Sequence, residues 1–235
     1  MKEYYKVIGI IGAMEIEIKT IRSKMENKQS SVAGGMEFVS GTLNGTPVVT
    51  AVCGIGKVCA AMCTQAMVLK YKPSLIINTG VGGTLTDELS VCDIAIADYV
   101  CQHDFDLSPI GDPPGQIPSV QMIKIPCDER AVEILTACAE QFDGIRVRTG
   151  TIASGDQFIA GDEVRRRIIE TFGAISCEME GGSIGQVCRL NNTPFAVVRA
   201  ISDSADGKAD MTYNEFLPVA ADNAAKMIEY IVAKY

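Results

Sequence analysis

The segment from Pro194 to Asp203 constrains the fold more than any other part of the chain. Phe195, Ala196, Val197 and Val198 show no polar alternation, and the valines favour extended backbone. The run reads as a strand buried on both faces, as inside a parallel sheet. Arg199 interrupts it, and Ser202-Asp203 closes it ahead of a loop carrying Asp206 and Gly207. In open α/β folds, ligands sit at the carboxyl ends of such strands. A carboxylate there, half desolvated, keeps a proton near neutral pH and can hand it to a leaving group. The same residues also fit a plainer reading, with Asp203 as a helix cap and Arg199 in a structural ion pair.

The rest of the chain alternates in the same way. Strand-like runs are predicted at Val7–Ala13, Leu75–Asn78, Asp93–Ala97, Arg146–Ala153 and Ala174–Cys177. Asn44-Gly45 joins Met36–Ser40 and Pro47–Cys53 as a hairpin. Helical patterns fall at Glu15–Met25, Lys57–Tyr71, Glu163–Thr171, Gly181–Leu190 and Asn214–Ala233. With no linker between them, residues 1–235 read as a single three-layer α/β domain, a central sheet flanked by helices. The long irregular stretch Cys101–Ser119 is expected to be a lid, a binding loop or an interface.

Charge excludes some partners. The formal net charge is −8, which argues against nucleic acid, since phosphate binding needs a basic footprint. Arg165-Arg166-Arg167 follows Asp162 and Glu163 and reads as a solvated helix face. Nine cysteines without a Cys-x-x-Cys encourage neither a disulfide framework nor a zinc site, so a reducing, cytoplasmic setting is expected. The apolar run Val7–Met14 is too short for a membrane span and lacks a signal-peptide cleavage pattern. His103-Asp104-x-Asp106 makes a weak metal claim, and a hydrogen-bonded loop histidine is the preferred reading.

Several strand ends carry candidate chemistry. At Gly12 to Glu17 a strand turns into a helix, and Glu15 and Glu17 point about 200° apart, so only one can face a pocket. Gly54-Ile55-Gly56-Lys57 and Gly80-Val81-Gly82-Gly83 read as glycine turns offering backbone N–H groups. Neither fits a dinucleotide or Walker fingerprint, so no cofactor is expected. Glu178-Met179-Glu180 supplies carboxylates suited to the two hydroxyls of a ribose, or simply acids at a helix N-terminus. Phe158, after Ser154-Gly155-Asp156, fits stacking on a flat base, or core packing.

Taken in order, Gly9–Glu17, Ile77-Asn78-Thr79-Gly80, Ser154-Gly155-Asp156-x-Phe158, Glu178-Met179-Glu180 and Val198–Asp203 resemble the bacterial 5′-methylthioadenosine/S-adenosylhomocysteine nucleosidases of the purine nucleoside phosphorylase superfamily. The resemblance implies a nucleoside phosphorylase-like fold, no cofactor or metal, and hydrolysis of 5′-thio-substituted adenosines to release adenine. It implies Asp203 as general acid to adenine N7, Glu17 as base for the attacking water and Arg199 nearby. Glu180 would bind the ribose hydroxyls, with Met179 packed on the sugar. Phe158 would stack on adenine, and the Ile159 backbone would read its edge. Met14, Val81, Gly82, Gly83 and Ser202 match further substrate positions. Ile55, Leu107, Ile110, Pro118 and Tyr213 match the surroundings of the 5′-thio group, some of them donated across a homodimer.

The sequence departs from that pattern in places. Val81 stands where the family usually has serine, Ile16 replaces a common glutamate, and Gly181-Gly182 replace bulkier residues. Leu107–Ser119 also differs, which leaves the 5′ substituent open. Two other readings keep the fold: a phosphate-dependent phosphorylase, and a non-catalytic nucleoside-binding protein. A phosphorylase would want arginines around its phosphate, where this chain places Glu17. A non-catalytic protein would be expected to lose Glu17 or Asp203.

Overall fold

The computed structural model describes residues 6–205 and 209–235, with side chains at 6–139, 142–205 and 215–235. The chain opens with β1 (Ile8–Gly12), α1 (Glu15–Lys24), β2 (Glu26–Ala33), β3 (Met36–Leu43), β4 (Thr46–Val52), α2 (Lys57–Tyr71) and β5 (Leu75–Thr84). It continues through β6 (Ile94–Gln102), β7 (Ile125–Pro126), α3 (Glu129–Ala137), β8 (Val147–Ser154), α4 (Asp162–Phe172) and β9 (Ala174–Glu178). It ends with α5 (Gly181–Leu190), β10 (Phe195–Asp203) and α6 (Ala209–Lys234).

One mixed sheet runs in the order β10-β6-β8-β9-β5-β1-β4-β3-β2, with β7 on β6. Because β10 also pairs with β5, strands β5, β9, β8, β6 and β10 close on themselves, a feature the linear pattern did not suggest. β10 is buried along its whole length, as its apolar run predicts. Its side chains divide by the strand period of two: Ala196 and Val198 face the core shared with α1, α3 and α6, while Phe195 and Val197 face the core of α2 and α5. The Asn44-Gly45 turn has both residues at positive φ, 50° and 78°, and joins β3 to β4 antiparallel. All nine thiols are free, and Cys63 and Cys188 serve as small hydrophobes in the α2–α5 core.

Some expectations need correcting. β2 was not foreseen because it is a largely exposed, polar edge strand with no apolar alternation. β6 extends to Gln102, so the irregular stretch begins at His103, and Ile117 within it is buried. Gly80–Gly83 is not a turn. It lies inside β5 and pairs with Arg199–Asp203 of β10. Glycine is used there for close approach: a Cβ at Gly82 would stand 2.8 Å from the Cys177 carbonyl oxygen, where β5 meets β9. Gly82→Ala therefore forces the closing strands apart. A loss of about 1–3 kcal/mol in urea unfolding is expected, the usual cost of overpacking; unchanged stability would show that the closure tolerates a side chain.

Candidate active site

Strand ends of β1, β5, β9 and β10, with the segments after β4 and β8, converge on one cavity. Its lining includes the expected Met14, Glu17, Ile55, Val81, Gly82, Gly83, Phe158, Ile159, Met179, Glu180, Ser202 and Asp203. Glu178, read from the sequence as a carboxylate suited to ribose, lines it as well, as do Ala13, Gln157 and Cys177.

Glu17 enters from the first turn of α1. Glu15 points outward to Arg22 at 3.2 Å, while Glu17 is buried, as the helical spacing requires. Glu17 Oε2 accepts from the backbone N–H of Ala13 (2.8 Å) and Met14 (2.9 Å), reaching back over the helix start as a capping glutamate does. Oε1 accepts from Val81 N–H at 3.0 Å. A Cβ at Gly80 would overlap that oxygen, so the glycine makes room for the carboxylate. Burial raises the Glu17 pKa, outweighing the opposing pull of Arg199 and the three N–H donors.

Arg199, expected near Glu17, is buried and is not among the residues lining the cavity. Its guanidinium bonds the Glu178 carboxylate and the Asn78 side chain, donates to Val198 O at 2.9 Å, and stands 3.8 Å from Glu180. Burial works against the charge on Arg199, but Glu178, Glu180 and Glu17 together keep its pKa above the ordinary value. Glu178 also accepts from the backbone N–H of Glu180 (3.0 Å) and Gly181 (2.8 Å), and from the Ser154 hydroxyl. A Cβ at Gly181 would stand 3.1 Å from Val197 Cγ1 and 3.2 Å from Glu178 Oε1, a tight fit where bulkier residues were expected. Both Glu178 and Asn78 stood inside quoted motifs. For their tie to Arg199 the only sequence signal is polarity at the end of, or within, an apolar strand.

Glu180 takes Gly56 N–H at 2.9 Å and lines the cavity. Burial, and then the neighbouring Glu178 charge, push its pKa up to about 7. Asp203 is buried, 3% exposed, with its remaining surface on the cavity. Its Oδ2 accepts from Ser202 Oγ and its Oδ1 from Ala205 N–H, both at 2.9 Å. A Cβ at Gly83 would stand 2.7 Å from Oδ1. Phe158 is exposed at the rim.

Other expected positions fall elsewhere. Leu107, Ile110 and Pro118 do not line this chain's cavity, and Ile110 is 78% exposed. The side chain of Tyr213, with Asp206 and Gly207, lies outside the described residues. His103 is buried, and neither ring nitrogen has a hydrogen-bond partner among the described residues, contrary to the preferred reading. Its ring packs where a Cβ of Gly155 would be, and burial lowers its pKa. Among the described residues no helix is long and apolar enough to cross a membrane.

The phosphorylase superfamily model matches residues 7–233. The chain belongs to the phosphorylase superfamily. The 5′-methylthioadenosine/S-adenosylhomocysteine nucleosidase of Neisseria meningitidis, solved with methylthio-immucillin-A, is 38% identical with a TM-score of 0.94, covering 98% of this chain and 100% of that one. A Helicobacter pylori nucleosidase of the same name is 34% identical with a TM-score of 0.93, covering 98% and 99%. A futalosine hydrolase of Helicobacter pylori is 33% identical with a TM-score of 0.93, again covering 98% and 99%. Within the superfamily the chain falls with the nucleosidases, so the likeness carried by the motifs extends over the whole fold.

The buried Arg199 cluster makes a prediction. Arg199→Met leaves Glu17, Glu178 and Glu180 without their cation, and removing one partner of a buried pair costs about 3–5 kcal/mol. The carboxylates can offset this by taking up protons, so the loss should be smallest near pH 5 and grow toward pH 8. Denaturant unfolding across that range checks it, and a loss independent of pH would contradict the charge account.

Proposed function

We propose that the chain hydrolyses the N-glycosidic bond of 5′-thio-substituted adenosines, 5′-methylthioadenosine and S-adenosylhomocysteine, with 5′-deoxyadenosine as a further substrate, and releases adenine. The observation that carries this reading is the charge of the cavity. Glu17, Glu178, Glu180 and Asp203 line it, and none of its described lining residues is a lysine or arginine. A phosphate nucleophile would meet carboxylates with no cation to receive it. Water meets a base, and a ribosyl cation forming at C1′ meets favourable negative charge.

The roles follow from placement and from the family likeness. Asp203, at the end of β10, gives its proton to adenine N7 as the C1′–N9 bond lengthens, so the base leaves neutral. Ser202 steadies the Asp203 carboxyl from one side and the Ala205 N–H from the other. Glu17 accepts a proton from water as the water oxygen bonds to C1′. Its raised pKa suits this work, because a base competent near neutrality must also hold the proton it takes. Glu180 accepts from the ribose hydroxyls, Met179 packs on the sugar, Phe158 stacks on adenine and the Ile159 backbone reads its edge. Arg199 acts through the carboxylates it holds.

Val81 brings no hydroxyl to the water. Its N–H instead fixes Glu17 Oε1, so water positioning rests on the glutamate. The active unit is a homodimer in which the loop 103–119 of one chain completes the 5′ side of its partner's cavity. Two features support this: the exposure of Ile110 and Pro118, and the apolar exposed face of α2 with Val58 at 70% and Leu69 at 70%.

Adenine release from 5′-methylthioadenosine, with and without inorganic phosphate, tests the reading. Equal rates in both are expected. A rate that requires phosphate would make the chain a phosphorylase, and no release would contradict both. Asp203→Asn, which keeps shape but has no proton to give, should lower kcat by about 10²- to 10⁴-fold, the usual contribution of a general acid.

A further inference from the structure

We propose that Lys57, Asp104 and Asp156 form a clasp outside the cavity that fixes two of its lining segments, Ile55–Gly56 and Gln157–Ile159, relative to each other and so sets substrate affinity, an inference that rests on the function proposed above. Three hydrogen bonds close a ring through three separate segments. Lys57 N–H donates to Asp156 Oδ1 at 2.7 Å, Asp156 N–H donates to Asp104 Oδ2 at 2.9 Å, and Lys57 Nζ donates to Asp104 Oδ1 at 2.6 Å. Lys57 Nζ also reaches Gln102 Oε1 at 3.3 Å. None of the three residues lines the cavity, yet each adjoins something that does or leads to it.

Lys57 begins α2, directly after Ile55 on one wall and Gly56, whose N–H holds Glu180 at 2.9 Å. Asp156 directly precedes Gln157, Phe158 and Ile159, a second segment of the lining. Asp104 follows β6 at the root of the 103–119 loop. The ring therefore ties together two lining segments and the root of the 103–119 loop. The Lys57 and Asp104 side chains are only 17% and 19% exposed, so salt screens their attraction less than it would an open surface pair. Burial alone would raise the Asp104 carboxyl, but Lys57 and the Asp156 N–H outweigh it and hold its pKa below the ordinary value.

The geometry leaves little slack. Gly56 has φ of 98°, and a Cβ there would stand 3.0 Å from Asp156 Oδ1. On the inner side His103 supports Gly155 by packing without a hydrogen bond, so it does not hold the segment's direction as a polar contact would. The remaining polar tie of Gly155 is its N–H to Glu178 O at 3.1 Å, which holds the strand exit but not the segment beyond it.

A clasp of this kind acts on binding and not on bond cleavage. In the whole 235-residue chain, Lys57→Met and Asp104→Asn should each raise KM for 5′-methylthioadenosine by about tenfold, as expected for one weakened charge-assisted hydrogen bond, with kcat within about twofold. Lys57→Arg, which can still reach Asp104, should restore KM to within about threefold of the parent. Calorimetric affinity for adenine should fall in parallel in the first two variants. Asp104→Asn is nearly isosteric and keeps the test readable if Lys57→Met fails to fold. Unchanged KM and adenine affinity with only a lowered Tm would overturn the clasp, as would a fall in kcat matching the fall in kcat/KM. Adenine affinity needs no turnover. A parent chain that binds adenine without releasing it from nucleoside would contradict the proposed function, while weakened binding in the variants would still uphold the clasp.

Discussion

One buried guanidinium holds the acidic side of the cavity together. Arg199 projects from the middle of β10, where β5 runs beside it and Arg199 pairs in register with Gly80. Glu178 meets it directly, Glu180 stands 3.8 Å away, and Glu17 feels its charge from the far side of Gly80. At the Glu180 separation of 3.8 Å and a protein-like effective dielectric near 20, the attraction is on the order of 4 kcal/mol before desolvation. Burial without a cation favours the neutral form of a carboxylate. With it, a desolvated group can keep a charge and still have a pKa high enough to exchange protons, as Glu180 does at about 7.

The glycines around this cluster have one shared cause. Gly80 clears space for Glu17, Gly83 for Asp203, Gly181 for Glu178, and Gly82 for the backbone of β9. None of these four has the positive φ that marks a glycine-dependent turn, so each is kept for what its missing Cβ would strike. The strands can thus stay paired up to the cavity while carboxylates fill the gaps between them. This is also why Gly80–Gly83 misleads as a sequence pattern: glycine density usually marks a turn, and here it marks crowding.

Much of the architecture was legible because its elements carry strong periodicity. The boundaries of α2 and α5 and the limits of β10 follow directly from apolar spacing. The polar β2 edge and the closure of β5, β9, β8, β6 and β10 did not show, since neither exposure at an edge nor long-range pairing leaves a local trace. At the site, the cavity gathers Glu17, Glu180, Asp203 and Phe158 from four distant motifs. Glu178 and Asn78 were less visible: each serves Arg199, and a residue that acts through another has no chemical signature of its own. Leu107, Ile110 and Pro118 show the opposite limit, as the cavity of a single chain does not include them.

Charge placement, more than any single residue, decides between nucleophiles. Glu17 has its carboxylate fixed by three backbone donors and sits in a cavity where an anion would be repelled. Such a group can hold a neutral water and take its proton, provided the rest of the site still binds the nucleoside. Crystals of Glu17→Gln soaked with 5′-methylthioadenosine examine that most directly. The account predicts an intact nucleoside, its ribose hydroxyls on Glu180, its base beside Phe158 and Asp203, and N7 within hydrogen-bond reach of Asp203. Free adenine in the cavity of that variant would contradict it and move the base to another residue.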